Sequence, residues 1–469
     1  MGMRALAIGL SSVLAATGCA LPSDLDEDTG EVESALTQEE YRDLAEHWAP
    51  RIYQDTDSSY YKGDYLTRFN FDGDYVGKNN WENLDPLPTV PAYVYYAVSE
   101  TLTHHFISYE FFHPRDWHEL IGEERHENDI EGVVLAIKKD GGYGALVAME
   151  SQAHSHFYQY GYAAGITTGS DDINGTITLH GGSHPRIFIE AKGHGVYNCD
   201  ARCDSAPGGD GVVYHAGATA DSPASGSGNW SSAYSYRLIA MDADGSIDGD
   251  QGLWHRRNDI CDTCTFASWG RIRGDANGLG ADNTNSASTP WGWDDGDDGQ
   301  SFAGDSICDP AKLFDIHLNG TPFDAGFSHV YVNHIYRTHT VEVLGARSDA
   351  NRDTLGGKSD IYVRVTAPGA PDGTDEVVNS SAWKRNEATV GTWYSFAYGA
   401  SNAEGQDFGD TVRTHSFCRR GSPSISVSVY DSDSDSDDPM GTLAVSNTVD
   451  HSAGIDLGDG AVKFRMTKH

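Results

Sequence analysis

The chain has 469 residues, and its 70 acidic against 32 Lys+Arg side chains give a formal charge of −38. A hydrophobic fraction of 38% with 11% aromatics supports a packed core and excludes global disorder, while 53 glycines and 24 tyrosines favour a turn-rich β protein over a helical bundle. So negative a chain excludes nucleic-acid binding through a cationic surface, and it can approach anionic lipid only if a cation such as Ca²⁺ bridges the two.

Arg4 is followed by an apolar run, Ala5 to Ala16, too short to span a bilayer, which ends in small residues before Cys19. Residues 1–18 resemble a bacterial lipoprotein signal. The resemblance implies that Cys19 is lipidated and that the product is exported, outer-membrane anchored by acyl chains or extracellular. Residues 19–36 are acidic, lack aromatics and read as a tether. In an exported chain the six remaining cysteines, Cys199, Cys203, Cys261, Cys264, Cys308 and Cys418, are expected to pair as disulfides, Cys199 with Cys203 locally. The competing arrangement is a four-thiolate zinc site from Cys199, Cys203, Cys261 and Cys264.

Thr37-Gln38-Glu39-Glu40 forms a capping-box signature, and Tyr41, Leu44, Ala45 and Trp48 follow at helical spacing, so a short amphipathic helix opens the first domain and Pro50 ends it. From there short β-rich runs alternate with Asp/Gly/Asn turns: 92–98, 106–112, 132–138, 186–191 and 329–336. Residues 207–230, rich in Gly, Ser, Ala and Asp, read as a long surface loop. Past Val341 the alternation becomes tidier and a second β domain begins, which sets the expected boundaries at 37–338 and 340–469.

Two places carry chemistry. In the C-terminal part, Asp353 to Asp360 leads into the alternating run Ile361–Val365. A second alternating run, Ser424–Tyr430, leads into Asp431-Ser-Asp433-Ser-Asp435-Ser-Asp437-Asp438 and Gly441. Calcium takes six to eight oxygens, and convergent Asp side chains supply them. The alternative is a solvated low-complexity loop. These segments, with Trp383-Lys384-Arg385-Asn386-Glu387 between them, resemble a C2 domain, a calcium- and phospholipid-binding β-sandwich. Ile361 stands where the family usually has proline, and the third loop is a residue shorter. The resemblance implies Asp353, Asp360, Asp431, Asp433 and Asp438 as Ca²⁺ ligands, with Asp437 able to replace Asp438, and a phospholipid membrane as partner.

In the large domain, His126-Glu127-Asn128-Asp129-Ile130-Glu131 runs into an apolar strand, so Asp129 and Glu131 share one face of an extended chain. His126 can return from the preceding turn, and Asp116 ends an aromatic strand upstream. One imidazole with three carboxylates suits Mg²⁺, Mn²⁺ or Ca²⁺; the alternative is a solvated strand edge with ion pairs to Arg115 and Arg125. These residues resemble the heptapeptide core of the necrosis- and ethylene-inducing-peptide-like cytolysins. Asp116, His126, Asp129 and Glu131 fall on its metal-ligand positions, although Arg125, Asn128 and Ile130 depart from the pattern. Residues 184–197 resemble the His-Pro…Gly-x-His segment of the related vacuolar-sorting-like group. The implied fold is a central β-sandwich with peripheral helices, a surface metal near the sheet edge, and a polar lipid headgroup as ligand.

His154-x-His156 alternates as in a strand, so both rings can face one side; Trp291 and Trp293 precede an acidic run suited to calcium or a sugar ring. No phosphate-cradling loop, Gly-x-Ser-x-Gly elbow or His-Glu-x-x-His helix occurs, which excludes nucleotide enzymes and hydrolases of those types. Three functional readings follow. The first is a membrane-acting protein that binds a polar lipid or glycan through its metal. The second is a metal-dependent hydrolase or lyase with His113, His154 or His194 as base. The third is a structural surface lipoprotein.

Overall fold

The computed structural model describes residues 35–117, 126–154, 156–162, 173–224, 228–246, 249–274, 287–293, 305–318, 327–350, 361–368, 375–379, 388–395, 414–431 and 438–469. Asp353, Asp360, Asp433, Asp437, Cys19 and the 383–387 motif lie outside these residues. Helix α1 (Gln38–Trp48) begins at the expected box: the Thr37 hydroxyl accepts from the Glu40 amide and the Glu40 carboxylate accepts from the Thr37 amide. Tyr41, Leu44, Ala45 and Trp48 form its buried stripe. Among the described residues no helix is long and apolar enough to cross a membrane.

The protein is mainly β. The strands of the first part are β1 (Arg51–Asp55), β2 (Tyr93–Thr101), β3 (His104–Asp116), β4 (His126–Lys138), β5 (Ala145–Ala153), β6 (His156–Gly161), β7 (Ile173–Thr176), β8 (Leu179–His180), β9 (His184–Ile189), β10 (Val196–Asn198), β11 (Gly211–Ala216), β12 (Ala233–Ala240), β13 (Phe266–Ser268), β14 (Arg271–Ile272) and β15 (Tyr331–Asn333). A 13-stranded sheet runs β10-β9-β1-β11-β12-β2-β3-β4-β5-β6-β7, with β15 on β2 and β8 on β9. Its path folds back so that β10 packs across β4 and β5, where the Ser151 hydroxyl donates to the Val196 carbonyl at 2.7 Å. One core fills the space between, built from Ile107, Tyr109 and Phe111 of β3 and Val133, Leu135 and Ile137 of β4 against Val196, Val212 and Tyr214. The opposite face of β3 and β4 presents Phe106, Phe112, Ile130 and Val134 to a second core rich in Trp254, Trp269, Trp291 and Trp293.

Three sequence expectations change. The 207–230 segment is not all loop, because Val212, Val213 and Tyr214 form β11 in the interior of the sheet; the Gly/Ser-rich flanks hid this short apolar run. The strand carrying Asp129 and Glu131 pairs with β3 throughout but with β5 only from Val133 onward, and both acids are buried, so a solvated edge does not describe them. Trp291 and Trp293 are fully buried core, which removes them as a sugar-binding surface.

The C-terminal part is a β-sandwich. Strands β16 (His339–Ser348), β17 (Ile361–Pro368), β18 (Asp375–Asn379), β19 (Trp393–Ser395), β20 (Thr414–Phe417), β21 (Ile425–Asp431), β22 (Asp438–Val445), β23 (Val449–Asp450), β24 (Ile455–Asp456) and β25 (Gly460–Lys468) make two sheets. One has the order β19-β16-β25-β23, with β20 on β16 and β24 on β25; the other has the order β18-β17-β21-β22. Val341, Val343, Val363, Val427, Val429 and Phe464 fill the layer between them. Three disulfides form: Cys199–Cys203, Cys261–Cys264 and Cys308–Cys418. With all six sulfurs paired, the four-thiolate zinc site is ruled out.

Cys308–Cys418 closes a sequence separation of 110 residues between α2 (Asp305–Cys308) and the end of β20. On chain-entropy grounds, replacing both cysteines by Ala should lower unfolding free energy by about 4 kcal/mol. Urea unfolding that moves by less than about 1 kcal/mol would show that packing alone ties the two parts together.

Candidate functional site

The long β3–β4 ladder sets the site. It pairs Phe111 with Glu131, His113 with Asp129 and Asp116 with His126. Asp129 and Glu131 therefore lie on one face, as their spacing predicts, and both are buried, at 4% and 3% exposure. Asn128 between them and His126 has φ 63°, a left-handed conformation that Asn tolerates better than most residues. Its side chain is anchored by three hydrogen bonds. The amide donates to the Gly77 and Arg273 carbonyls at 2.7 and 2.8 Å, and its oxygen accepts from Asn80 at 2.6 Å.

Two further segments reach this face. The turn after β9 carries Glu190, Lys192 and His194, and the segment after β1 carries Asp64. Because β1 and β9 are parallel neighbours, their C-terminal ends emerge on the same side. Asp64 then fixes the turn by accepting from the Lys192 amide at 2.8 Å. His194 is fully buried between two carboxylates. Nδ1 donates to Asp129 Oδ2 at 3.0 Å, and Nε2 lies 3.4 Å from Asp64 Oδ1, an ion-pair contact outside hydrogen-bond geometry. His113 stacks on it, with ring centroids 3.8 Å apart and planes 3° from parallel.

At the solvent side, His126 Nε2 lies 3.1 Å from Asp116 Oδ2 and its Nδ1 meets the Asn128 carbonyl at 3.0 Å. His154 sits in the β5–β6 turn at φ 62° rather than in a strand, so it does not share a face with His156 by alternation. Its backbone amide donates to Glu131 Oε1 at 2.6 Å and its ring Nε2 meets Glu190 Oε1 at 2.9 Å. Gly193 admits this ring, since a Cβ there would come within 2.9 Å of His154 Cε1. His184 hydrogen-bonds to the Ala49 carbonyl at 2.7 Å and has no contact with these side chains. Asp64 and Glu190 were not singled out in the sequence; the Gly-His-Gly turn at 193–195 was the one local signal for that segment.

Burial and charge divide the protons unequally. Burial opposes ionisation of Asp129, but the His194 hydrogen bond outweighs it and lowers its pKa. Burial, reinforced by the Asp129 charge, pushes the Glu131 carboxyl well above the usual range, so it is neutral. Its second oxygen, Oε2, is buried without a hydrogen-bond partner. Burial opposes charging of His194 and His126, yet Asp129 with Asp64 holds His194 at about 10, and Asp116 holds His126 at about 9. The Glu190 hydrogen bond raises His154. Burial and then the charge of His194 push His113 well below its ordinary value.

Among the described residues, no group of three or more His, Cys, Asp or Glu side chains is arranged to hold a metal ion. Two potential oxygen donors do lie together. Asp129 and Glu131 lie side by side on one strand face, one oxygen is unused, and the carboxyl carrying it is neutral only through a proton that a cation could replace. In the C-terminal sandwich, the register pairs Asp431 with both Ile361 and Asp438. The start of β17, the end of β21 and the start of β22 thus converge at one end of that sheet, with Asp431 fully buried.

No protein-family model matches this chain, and no curated protein matches it. Solved structures similar to parts of it include the paired C2 domains of extended-synaptotagmin 2 (14% identity, 28% of this chain and 41% of that one, TM-score 0.19). A single C2 domain is similar over 28% of this chain and 96% of its own (19% identity, TM-score 0.18). The non-toxic protein HaNLP3 is similar over 48% of this chain and 82% of its own (14% identity, TM-score 0.26). Necrosis and ethylene inducing protein 2 from the causal agent of cocoa's witches' broom disease matches over 37% and 74% (14% identity, TM-score 0.21). The chain spans 41% of the length of the extended-synaptotagmin structure. These likenesses concern fold, and no residue role follows from them.

Asp129→Asn should cost about 3 kcal/mol near neutral pH, because it breaks a buried ion pair and leaves His194 partly uncompensated. Glu131→Gln replaces a neutral carboxyl by a neutral amide that still accepts from His154, and should cost under about 1 kcal/mol. The folded pKa of His194 is raised above its unfolded value near 6.5, so its contribution is complete below about pH 6.5 and lost as pH rises through about 10. The stability gap between the natural protein and Asp129→Asn, read from urea unfolding, should therefore shrink over that interval; a constant gap would contradict the assignment.

Proposed function

We propose that this protein is an exported, lipid-anchored binding protein in two β domains, 37–338 and 340–469. In this reading the first domain recognises a polar lipid or glycan headgroup through a divalent metal, and the second docks on phospholipid through Ca²⁺. The observation that carries the proposal is the buried Asp129–Glu131 pair on one face of β4, with the Glu131 Oε2 oxygen lacking a hydrogen-bond partner.

Asp116, His126, Asp129 and Glu131 are the residues that would hold the first metal. A bound divalent ion would supply a positive centre for anionic or hydroxyl-rich oxygens at the partly open side of the site. The protein's own groups do the rest. His194, clamped by Asp129 and Asp64, fixes the carboxylate facing it, while the Glu190–His154 pair, with His154 half exposed, forms a polar rim. His126 must give up its proton to act as a ligand, so apparent metal affinity rises with pH up to about 9.

Burial favours binding over hydrolysis at two of the candidate bases: His194 is fully buried between Asp129 and Asp64, where it cannot reach a substrate. His113 stays neutral but is fully buried beneath His194.

In the second domain, Asp431 and Asp438 stand opposite each other at the sheet end, and Asp353, Asp360 and Asp433 are the further Ca²⁺ ligands proposed. Calorimetric titration with Ca²⁺, Mg²⁺ or Mn²⁺ should give binding at the first site that Glu131→Gln weakens by about tenfold or more, about 1.4 kcal/mol. Calcium-dependent co-sedimentation with phosphatidylserine vesicles should be lost in Asp431→Asn/Asp438→Asn and kept in Glu131→Gln. Vesicle binding unchanged by the double substitution would overturn the docking role. Cys19→Ser should move the protein from the membrane to the soluble fraction, and unchanged fractionation would overturn the lipid anchor.

A further inference from the structure

The three disulfides differ in access. Cys199 and Cys203 are 5% and 4% exposed, and Cys308 and Cys418 are 1% and 0% exposed. Cys261, by contrast, is exposed and Cys264 half-buried, in a turn where the Cys264 amide donates to the Cys261 carbonyl at 3.4 Å. Thr263 Oγ1, inside the same turn, lies 3.7 Å from Cys261 Sγ, and its hydroxyl is the donor because a disulfide sulfur carries no hydrogen. Thiol–disulfide exchange needs a thiolate to reach a sulfur, and exposed disulfides are the labile ones.

This turn also supports the carboxylate site. The Cys264 carbonyl accepts from the Gly77 amide at 3.2 Å, and the Cys261 carbonyl accepts from Arg273 Nε at 3.1 Å. Gly77 and Arg273 are the two residues whose carbonyls receive the Asn128 side-chain amide. Gly77 lies flat on Arg273, with no room for a Cβ against the Arg273 carbonyl oxygen. Two further contacts join the same segments: Lys78 Nζ donates to Asp262 Oδ1 at 3.0 Å, and the Thr265 hydroxyl donates to the Tyr75 carbonyl at 3.1 Å. Asn128 stands at φ 63° one residue before Asp129, so the groups that hold its side chain set how β4 enters the site. Thr265 and Phe266, just beyond the turn, are fully buried, which confines any loosening to the turn and its partners.

We propose that Cys261–Cys264 is a thiol-exchange site, opened by an external low-molecular-weight thiol, and that its opening loosens the seat of Asn128. The external thiolate attacks Cys261 Sγ, the more exposed end. A new S–S bond forms there as the Cys261–Cys264 bond breaks, and Cys264 leaves as a thiolate that takes up a proton from water. A second thiolate attacks the external sulfur of this mixed disulfide, releasing Cys261 as a thiolate and the oxidised external disulfide as product. Two electrons thus pass from two thiols to the protein, and the Thr263 hydroxyl donates to the Cys261 thiolate. The consequence concerns the placement of β4 and holds whether or not the site takes a metal.

The test is to titrate the folded full chain with dithiothreitol without denaturant, alkylate the free thiols with iodoacetamide and assign them by peptide mass spectrometry. Cys261 and Cys264 should become alkylated at dithiothreitol concentrations at least about tenfold below those that open the other two disulfides. Cys264→Ala should leave a Cys261 thiol that reacts with dithiobis(nitrobenzoate) at least about tenfold faster than the Cys264 thiol left by Cys261→Ala. In the selectively reduced protein, and in Cys261→Ala/Cys264→Ala without added thiol, amide hydrogen exchange across 126–131 should quicken by about tenfold while 133–137 stays unchanged. Opening of either buried disulfide at the same concentration, or equal rates in the two single variants, would overturn the exchange site. Unchanged hydrogen exchange across 126–131 in the reduced protein and in the double variant would overturn its coupling to Asn128.

Discussion

The structure around β4 depends on one electrostatic constraint. Two carboxyl groups, Asp129 and Glu131, share the buried face of β4, where two adjacent negative charges cannot both persist without compensation. The fold answers by asymmetry. The His194 hydrogen bond lowers the Asp129 pKa and His194 lies between Asp129 and Asp64, whereas burial and the Asp129 charge raise the Glu131 pKa and leave one of its oxygens without a partner. The rim pairs, Asp116 with His126 and Glu190 with His154, extend the same alternation of acid and imidazole towards solvent.

Such a constellation is costly to build in a strand that is otherwise filled with apolar side chains, as it is from Val133 to Ile137. The supports around it are correspondingly extensive. Asn128 is hooked to Gly77, Asn80 and Arg273, and Asp64 and Gly193 seat the His194 turn. These hold the acids in place through backbone groups, independently of how the site itself is charged.

Much of this was legible in the sequence where the signal is local. The Thr37–Glu40 box, the two-residue spacing of Asp129 and Glu131, and the even number of cysteines each express a short-range rule, and each appears in the structure. The roles of Asp64 and Glu190 were not legible, because they arise from the parallel pairing of β1 with β9, which joins segments more than 120 residues apart. Strand β11 was hidden for a different reason: its three apolar residues are flanked by glycine- and serine-rich turns that dominate any composition window. His154 and His156 alternate in sequence, but the left-handed residue at 154 breaks the alternation, and only the backbone reveals it.

Carbon-13 NMR of the Glu131 side chain, assigned by comparison with Glu131→Gln, reads the central constraint directly. In chelator-treated protein near neutral pH its carboxyl resonance should report the neutral acid, and addition of Ca²⁺, Mg²⁺ or Mn²⁺ (the last read as selective paramagnetic broadening) should convert or bleach it. A resonance that already reports the ionised form, and that no divalent ion perturbs, would contradict the account.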